Sequence, residues 1–418
     1  MAPVAKTLSE LLPLVSRATD GNLTLLQQLP QGYNSSLISF IDRHQLSVLH
    51  GTFNRSIWTS PWNDTLSTAL STSEYAQVLS TPFVAYDRRF LDIVGKQPSM
   101  KKLIDLDQRI HEAPSYIPDT NQLFFTAWGE LKPDLFAQHN WQYWVDVGSL
   151  EDDASHIKVH NVTLDPPVQN AHGSFYYKGE LYIATDGGNG TAPSVHVVDV
   201  KNKTSRVLFN NYYGHQFDGF NDLAIAPDGT IFVSDTSTGY DHGINPSTPG
   251  NPGYTWMYEP SSGEVRAVGN TLAKGNGVTV SPDGRHLAVS DTGASGSTGK
   301  DATGNRSVTK YDIQSIDGGH AITSSSVLAS PIAGLYDGLR YTGNGKYIVG
   351  GSYEGLDFLD AVTGSVLGTI KVPPTDSTVN FAFRKGGGIY VVGKGGMYSV
   401  RIAEEVAWSD PAFSGNRG

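Results

Sequence analysis

The sequence predicts an all-β protein, a six-bladed β-propeller with a partly helical N-terminal extension. Three observations predict it. First, the composition is turn-rich: 46 Gly and 20 Tyr stand in 418 residues with 39% hydrophobic content, which suits short strands better than helices. Second, a long phrase recurs. Phe220-Asn221-Asp222-Leu223-Ala224-Ile225-Ala226-Pro227-Asp228-Gly229 leads into Ile231-Phe232-Val233-Ser234-Asp235-Thr236. Gly275-Asn276-Gly277-Val278-Thr279-Val280-Ser281-Pro282-Asp283-Gly284 leads into His286-Leu287-Ala288-Val289-Ser290-Asp291-Thr292. Third, looser copies of the phrase occur elsewhere, and a repeat at this interval marks a repeated structural unit.

The elements follow in order. Residues 1–80 form the N-terminal extension, a possible cap. Helical spacing is present in Leu8, Leu11, Leu12 and Val15 and again in Leu37, Ile38, Ile41 and Leu46, and Asp64 to Leu79 reads as a further short helix or irregular segment. Residues 81–405 are the propeller and 406–418 a C-terminal tail. Phe83–Asp87 and Phe90–Val94 alternate as strands do and are expected to close the ring. Copies of the phrase then begin at His111-Glu112-Ala113-Pro114, Asn170-Ala171-His172-Gly173, Phe220-Asn221, Gly275-Asn276, Tyr336-Asp337-Gly338-Leu339 and Val379-Asn380. Further short strands lie between them at 194–200, 254–258, 308–312 and 356–360. Four strands per unit and six units give six blades.

Composition excludes several function classes. The formal net charge is −11 with no basic block, so nucleic acid is not an expected partner. No apolar stretch approaches the length of a membrane span. The absence of cysteine excludes thiolate nucleophiles and Cys-ligated metals. Eight Asn-x-Ser/Thr sequons begin at Asn22, Asn34, Asn54, Asn63, Asn161, Asn189, Asn202 and Asn305. Composition alone would supply roughly three or four, so the excess predicts a secreted glycoprotein. Met1-Ala2-Pro3 reads as a start placed on a mature chain. The expected partner is a small-molecule substrate, with no obligate protein partner evident.

The lead residues of the six copies are Glu112, His172, Asn221, Asn276, Asp337 and Asn380, at intervals of 60, 49, 55, 61 and 43 residues. The first strand of each blade lines the central channel, so these residues would form one polar ring in packed surroundings. Two carboxylates and several amides there need a partner. Oxygen donors in this number suit a hard divalent cation, calcium before magnesium. Ordered water is the alternative occupant.

The spaced set of His111-Glu112-Ala113-Pro114, Phe220-Asn221-Asp222, Gly275-Asn276-Gly277-Val278 with Ser281-Pro282-Asp283-Gly284, and Tyr336-Asp337-Gly338-Leu339 resembles the gluconolactonase / senescence-marker-protein family. Its fungal secreted lactonohydrolase branch is the most similar. The resemblance spans about residues 82–400 and implies a six-bladed propeller with one catalytic divalent cation, usually calcium. It places Glu112, Asn276 and Asp337 at the core ligand positions and Asn221 at a position that binds metal or substrate. The implied chemistry is hydrolysis of a sugar or polyketide-type lactone, with a metal-polarised carbonyl and a metal-activated water.

Asp337 is then the candidate general base. His172 and His111 are further catalytic candidates, with His215 behind them. Asn221, Asn380, Trp128, Tyr336 and Tyr353 are candidates for substrate binding. Long Gly/Ser/Pro-rich loops at 241–253 and 294–305 are expected to shape the entrance. Two other functions stay open. One is a secreted enzyme of secondary metabolism catalysing condensation or cyclisation, including a pericyclic reaction such as a Diels–Alder closure, in an apolar pocket. The other is a non-enzymatic binding propeller.

Overall fold

A computed structural model of the chain describes residues 25–49, 56–58, 65–129, 139–147, 157–269, 272–296, 299–317, 319–384 and 386–403. Its regular structure is predominantly β. Six sheets each contain an antiparallel four-strand core. The first four cores are His111–Ile117 to Val159–Asn161, Ala171–Tyr177 to Thr204–Phe209, Phe220–Ile225 to Glu264–Gly269, and Gly275–Val280 to Gly319–Ala329. The fifth runs from Leu339–Tyr341 to Val366–Lys371. The sixth comprises Ser377–Arg384, Gly388–Lys394, Gly396–Arg401 and, from far upstream, Ser99–Asp105.

The first strands are buried along nearly their whole length, as in Phe220–Ile225. Outer strands such as Glu264–Gly269 are largely open to solvent. The first strands of sheets one to five lie beside one another in sequence, and that of sheet six lies beside that of sheet one. Sheet five meets sheet six where Gly338 N–H donates to the Val379 carbonyl at 3.3 Å. One apolar cluster fills each gap between successive sheets. Ala224, Phe232 and Met257 meet Val278, Leu287 and Tyr311 between sheets three and four. Leu123, Phe125 and Val145 meet Tyr390, Val392 and Met397 between sheets one and six. Each such fully buried side chain contributes roughly 1.5–3 kcal/mol.

Several expectations need correction. Phe83–Val94 does not close the sixth sheet. Phe83–Ala85 is a strand paired with Val366–Lys371, the outermost core strand of sheet five, and Arg88–Val94 is a helix. Asp87 caps that helix by accepting from Arg89 N–H, and Gly95 ends it at φ 76°. Phe90, Leu91, Ile93 and Val94 are buried; their spacing serves a helix face as well as a short strand. The strand paired with Gly396–Arg401 is Ser99–Asp105, pinned by Lys102 to Asp376 at 3.0 Å.

The expected helix through Leu37–Leu46 divides into the strand Ile38–Ile41 and the short helix Arg43–Leu46. Ile38–Ile41 runs parallel to Phe83–Ala85, so the N-terminal segment extends sheet five to seven strands. The helices Thr65–Ala69 and Thr72–Ser80 fall in the segment expected to hold one. Leu66, Leu70 and Val78 pack on Ile41, Val84 and Tyr86. The Leu8–Val15 pattern and the tail 406–418 lie outside the described residues.

Candidate functional site

Two backbone devices aim the lead residues inward. The first is a bulge. Phe220 pairs with Asp235 but Leu223 pairs with Val233, so Asn221 and Asp222 together face Ser234. The same shift sets Asn276-Gly277 against Ser290 and Ala113-Pro114 against Phe125. A bulge bends its strand and re-aims its side chains. Ala113 takes φ 54° beside Glu112. The second device is the glycine after the lead residue. A Cβ on Gly277 would lie 2.2 Å from the Asp337 carbonyl, and one on Gly338 would lie 2.1 Å from Asn380 Oδ1. Glycine is what lets neighbouring first strands approach this closely.

The ring then assembles in pairs. Asn380 Nδ2 donates to Glu112 Oε2 at 3.3 Å. Asn276 hydrogen-bonds the Asp337 carboxylate. An amide can donate only through nitrogen, so its oxygen is turned elsewhere. Asn276 Oδ1 and Asp337 Oδ1 are both buried without a partner. Asn221 Nδ2 lies 3.1 Å from His172 Nε2, and His172 Nδ1 lies 2.7 Å from Asp186 Oδ2. In the neutral ring Nδ1–H donates to Asp186 and Nε2 accepts from Asn221, leaving Asn221 Oδ1 free, whereas in the imidazolium Nε2–H donates to that oxygen.

Beside Asn221, Asp222 receives Arg340 Nη1 at 2.7 Å and Nη2 at 3.3 Å. Leu223 N–H (2.9 Å) and Val278 N–H (3.2 Å) complete its shell. Arg340 also lines a small cavity of about 100 Å³ at the opposite mouth, with Ser115, Thr279 and Tyr341. That cavity belongs to the C-terminal halves of the first strands, away from the lead residues.

Charge balance distinguishes the four channel carboxylates. Asp222 has the Arg340 guanidinium, and Asp186 has the Nδ1–H of His172 as its hydrogen-bond donor. Glu112 and Asp337 have no cationic side chain in the ion pairs of the described residues. Burial, and after it the Asp337 charge, pushes Glu112 well above the usual carboxylate range. Burial pushes Asp337 up to about 7, with His172 and the Asn276 hydrogen bond opposing. At His172, burial disfavours the imidazolium, but Asp186, Asp337 and Asp222 outweigh it and its pKa is raised.

Among the described residues no three His, Asp or Glu side chains converge as a metal-binding group. The channel set is instead mixed, with two carboxylates and amide oxygens. It fits a hard divalent cation in three respects: all its donors are oxygens, two negative charges lack a partner, and two buried oxygens lack one.

The other candidates divide. His172 is fully enclosed at the ring. His111 is not in the ring: its Nδ1 bonds the Gly393 carbonyl at 2.6 Å and its Nε2 faces Asp107. Tyr336 is a correction. It is wholly buried and donates its hydroxyl to Asp357, with its ring in the apolar cluster of Leu339, Ile348 and Leu359. Asn380 orients Glu112, since its amide nitrogen donates to that carboxylate while its oxygen accepts Phe381 N–H. His215 sits on an exposed turn. Trp128 and Tyr353 stand at the mouth, 7% and 45% exposed.

Sequence reasoning missed Asp186, Asp222, Arg340 and His242. Asp186 had a signal, since Thr185-Asp186 occupies the place of Ser234-Asp235. His242 stands in the loop 241–253 that was expected to shape the entrance, and its ring lies 4.4 Å from that of Trp128.

Residues 112–392 match the family described as the SMP-30/gluconolactonase/LRE-like region. The chain belongs to that family. Among the family's curated proteins, it is 29% identical to lactonohydrolase oryL of Aspergillus oryzae, over 65% of this chain and 62% of that one. The match thus spans less than two thirds of that relative's length. It is 25% identical to lactonohydrolase oryH of the same organism, over 93% of this chain and 95% of that one. A solved gluconolactonase from Xanthomonas campestris superposes with a TM-score of 0.60 at 19% identity, covering 77% of this chain and 94% of that one. This last likeness bears on the fold. The family supports lactone hydrolysis in general terms.

Proposed function

We propose that this chain is a calcium-dependent lactone hydrolase, built as a six-bladed propeller whose blades are the six sheets. The carrying observation is the unpaired charge of Glu112 and Asp337, beside the partnerless oxygens of Asn276 and Asp337. Glu112, Asn276 and Asp337 hold the cation, with Asn221 Oδ1 beside them. A cation held there supplies Lewis acidity to the lactone carbonyl and acidity to a water.

The chain's own groups do the rest. The Asp337 carboxylate accepts the proton of the attacking water. Ring opening leaves an alkoxide, and the same carboxyl returns the proton to it. Asn380 holds Glu112 in place. Asp186 and His172 hold Asn221, as the hydrogen-bond partners behind a metal's ligands do. The Arg340–Asp222 pair lies beside Asn221 between this site and the far mouth. The N-terminal extension caps the site, and the chain works in the secretory pathway.

The test is turnover of simple lactones with and without chelator, in the wild type and Asp337→Asn. Chelation abolishes turnover, and the variant loses about 100-fold or more in kcat. Undiminished turnover in the metal-free protein overturns the reading.

A further inference from the structure

The channel mouth carries aromatic rings contributed by separate parts of the chain. Gly334 N–H donates to the Ile57 carbonyl at 2.6 Å. That bond ties residues 56–58 of the N-terminal extension to the loop that runs into Asp337. Gly334 itself, at φ 66°, is held under Tyr353, where a Cβ would lie 2.6 Å from Tyr353 Cδ2. The Trp58 ring lies 6.5 Å from the Tyr353 ring, and Lys300 Nζ sits 4.7 Å over Trp58.

A second aromatic pair stands by Asn221. Trp128 meets the His172 ring edge-on at 5.5 Å and the His242 ring at 4.4 Å. His242 is open to solvent, so its ring is a wall a ligand can reach. Trp128 Nε1–H is buried without an acceptor, a donor that a substrate oxygen would satisfy. Charged groups nearby are already engaged: Lys274 binds Asp241 and the Ser295 carbonyl, and Lys300 covers Trp58. A sugar lactone needs many free polar partners, whereas aromatic walls reward apolar area at roughly 25 cal/mol per Å².

We propose that Trp58, Tyr353, Trp128 and His242 form an aromatic mouth that receives the apolar body of the substrate, so that lactones bearing a ring or long-chain substituent are taken in preference to sugar lactones. This rests on the hydrolase reading of the channel. The N-terminal extension, through Trp58, is then part of the specificity device.

The test compares kcat/KM for 5-phenyl-δ-valerolactone and glucono-δ-lactone, in calcium, for wild type, Trp58→Ala, Trp58→Phe and Tyr353→Ala. The wild type prefers the phenyl lactone by about tenfold or more, Trp58→Ala lowers that ratio at least about fivefold through KM, and Trp58→Phe restores most of it. Tyr353→Ala lowers the ratio as well and serves where Trp58→Ala does not fold. A wild-type preference for glucono-δ-lactone, or a ratio unmoved in both alanine variants, overturns the proposal. If neither lactone is hydrolysed, calorimetric binding of both to the same proteins makes the comparison. Preferential binding of the phenyl lactone that weakens in the alanine variants upholds the mouth while removing the hydrolase reading; no preference removes the mouth.

Discussion

The Ser234 hydroxyl donates a 2.6 Å hydrogen bond to the backbone carbonyl of Asn276, in the next sheet. Ser290 makes the equivalent bond to the Asp337 carbonyl at 3.0 Å. Each serine lies opposite a bulge in its own sheet and reaches the lead residue of the following one. The aspartate beside it turns the other way. Asp235 accepts Asp218 N–H and Gly219 N–H, and Asp291 accepts Ala273 N–H and Lys274 N–H. The repeated Ser-Asp pair thus fixes both the loop entering its own first strand and the lead residue of its neighbour.

Ser234→Ala tests this link. It leaves the buried Asn276 carbonyl without its donor, so we predict a loss of about 1–3 kcal/mol in unfolding free energy. Calcium affinity should fall with it, because Asn276 loses its anchor. Denaturant unfolding and calcium titration of the folded variant check the two effects. A destabilised variant with wild-type calcium affinity would separate the serine from the site.

The raised carboxylates predict a pH dependence of stability with a definite sign. Glu112 and Asp337 hold protons more tightly in the folded chain than in the unfolded one. Without cation, their contribution to stability is intact in acid and is lost as pH rises from about 4, the unfolded value, through the folded value of about 7 for Asp337. A cation competes with those protons, so its stabilising effect grows as pH rises. We predict that 1 mM calcium raises the melting temperature by ~5 °C at pH 8 and by ~1 °C or less at pH 5. Scanning calorimetry at the two pH values decides it; equal shifts count against Glu112 and Asp337 as ligands.

Asp186 and His172 act on the site through Asn221. Asp186→Asn weakens the hold on the His172 ring, and His172→Ala removes the acceptor for Asn221 Nδ2. We predict a ~10–100-fold loss of calcium affinity in each. In His172→Gln a side-chain oxygen can again accept from Asn221, and part of that loss is recovered. Direct metal titration reads this independently of turnover, and unchanged affinity in His172→Ala would show the ring to be filler alone.

The sequons are not equivalent. Asn161 and Asn189 are exposed. Asn305 spends Nδ2 on Asp291 at 2.7 Å and Oδ1 on Ser307, so attaching a glycan would break the shell of a buried carboxylate. We predict occupancy at Asn161 and Asn189 and none at Asn305 when the chain is made in a secretory host. Glycopeptide mass spectrometry gives the answer, and a glycan on Asn305 would contradict that geometry.

Much of the channel was legible in the chain. Glu112, Asn221, Asn276 and Asp337 open copies of one phrase, and copies of a phrase occupy equivalent places. The roles of their neighbours were harder to read. Tyr336 and Asn380 stand beside or at lead positions, yet one faces the core and the other serves Glu112. Which way a side chain faces near a bulge depends on register, and a single phrase does not state register.

By itself the sequence determined the β texture, the six phrases, and the polar residue that opens each, because alternation and turn chemistry are local properties. Tertiary structure decided the partners. It chose Ser99–Asp105 over Phe83–Val94 to complete the sixth sheet, paired Arg340 with Asp222 across 118 residues, and set Trp58 beside Tyr353. These choices depend on which distant edge, charge or ring lies free when the sheets pack, and no short stretch of chain carries that information.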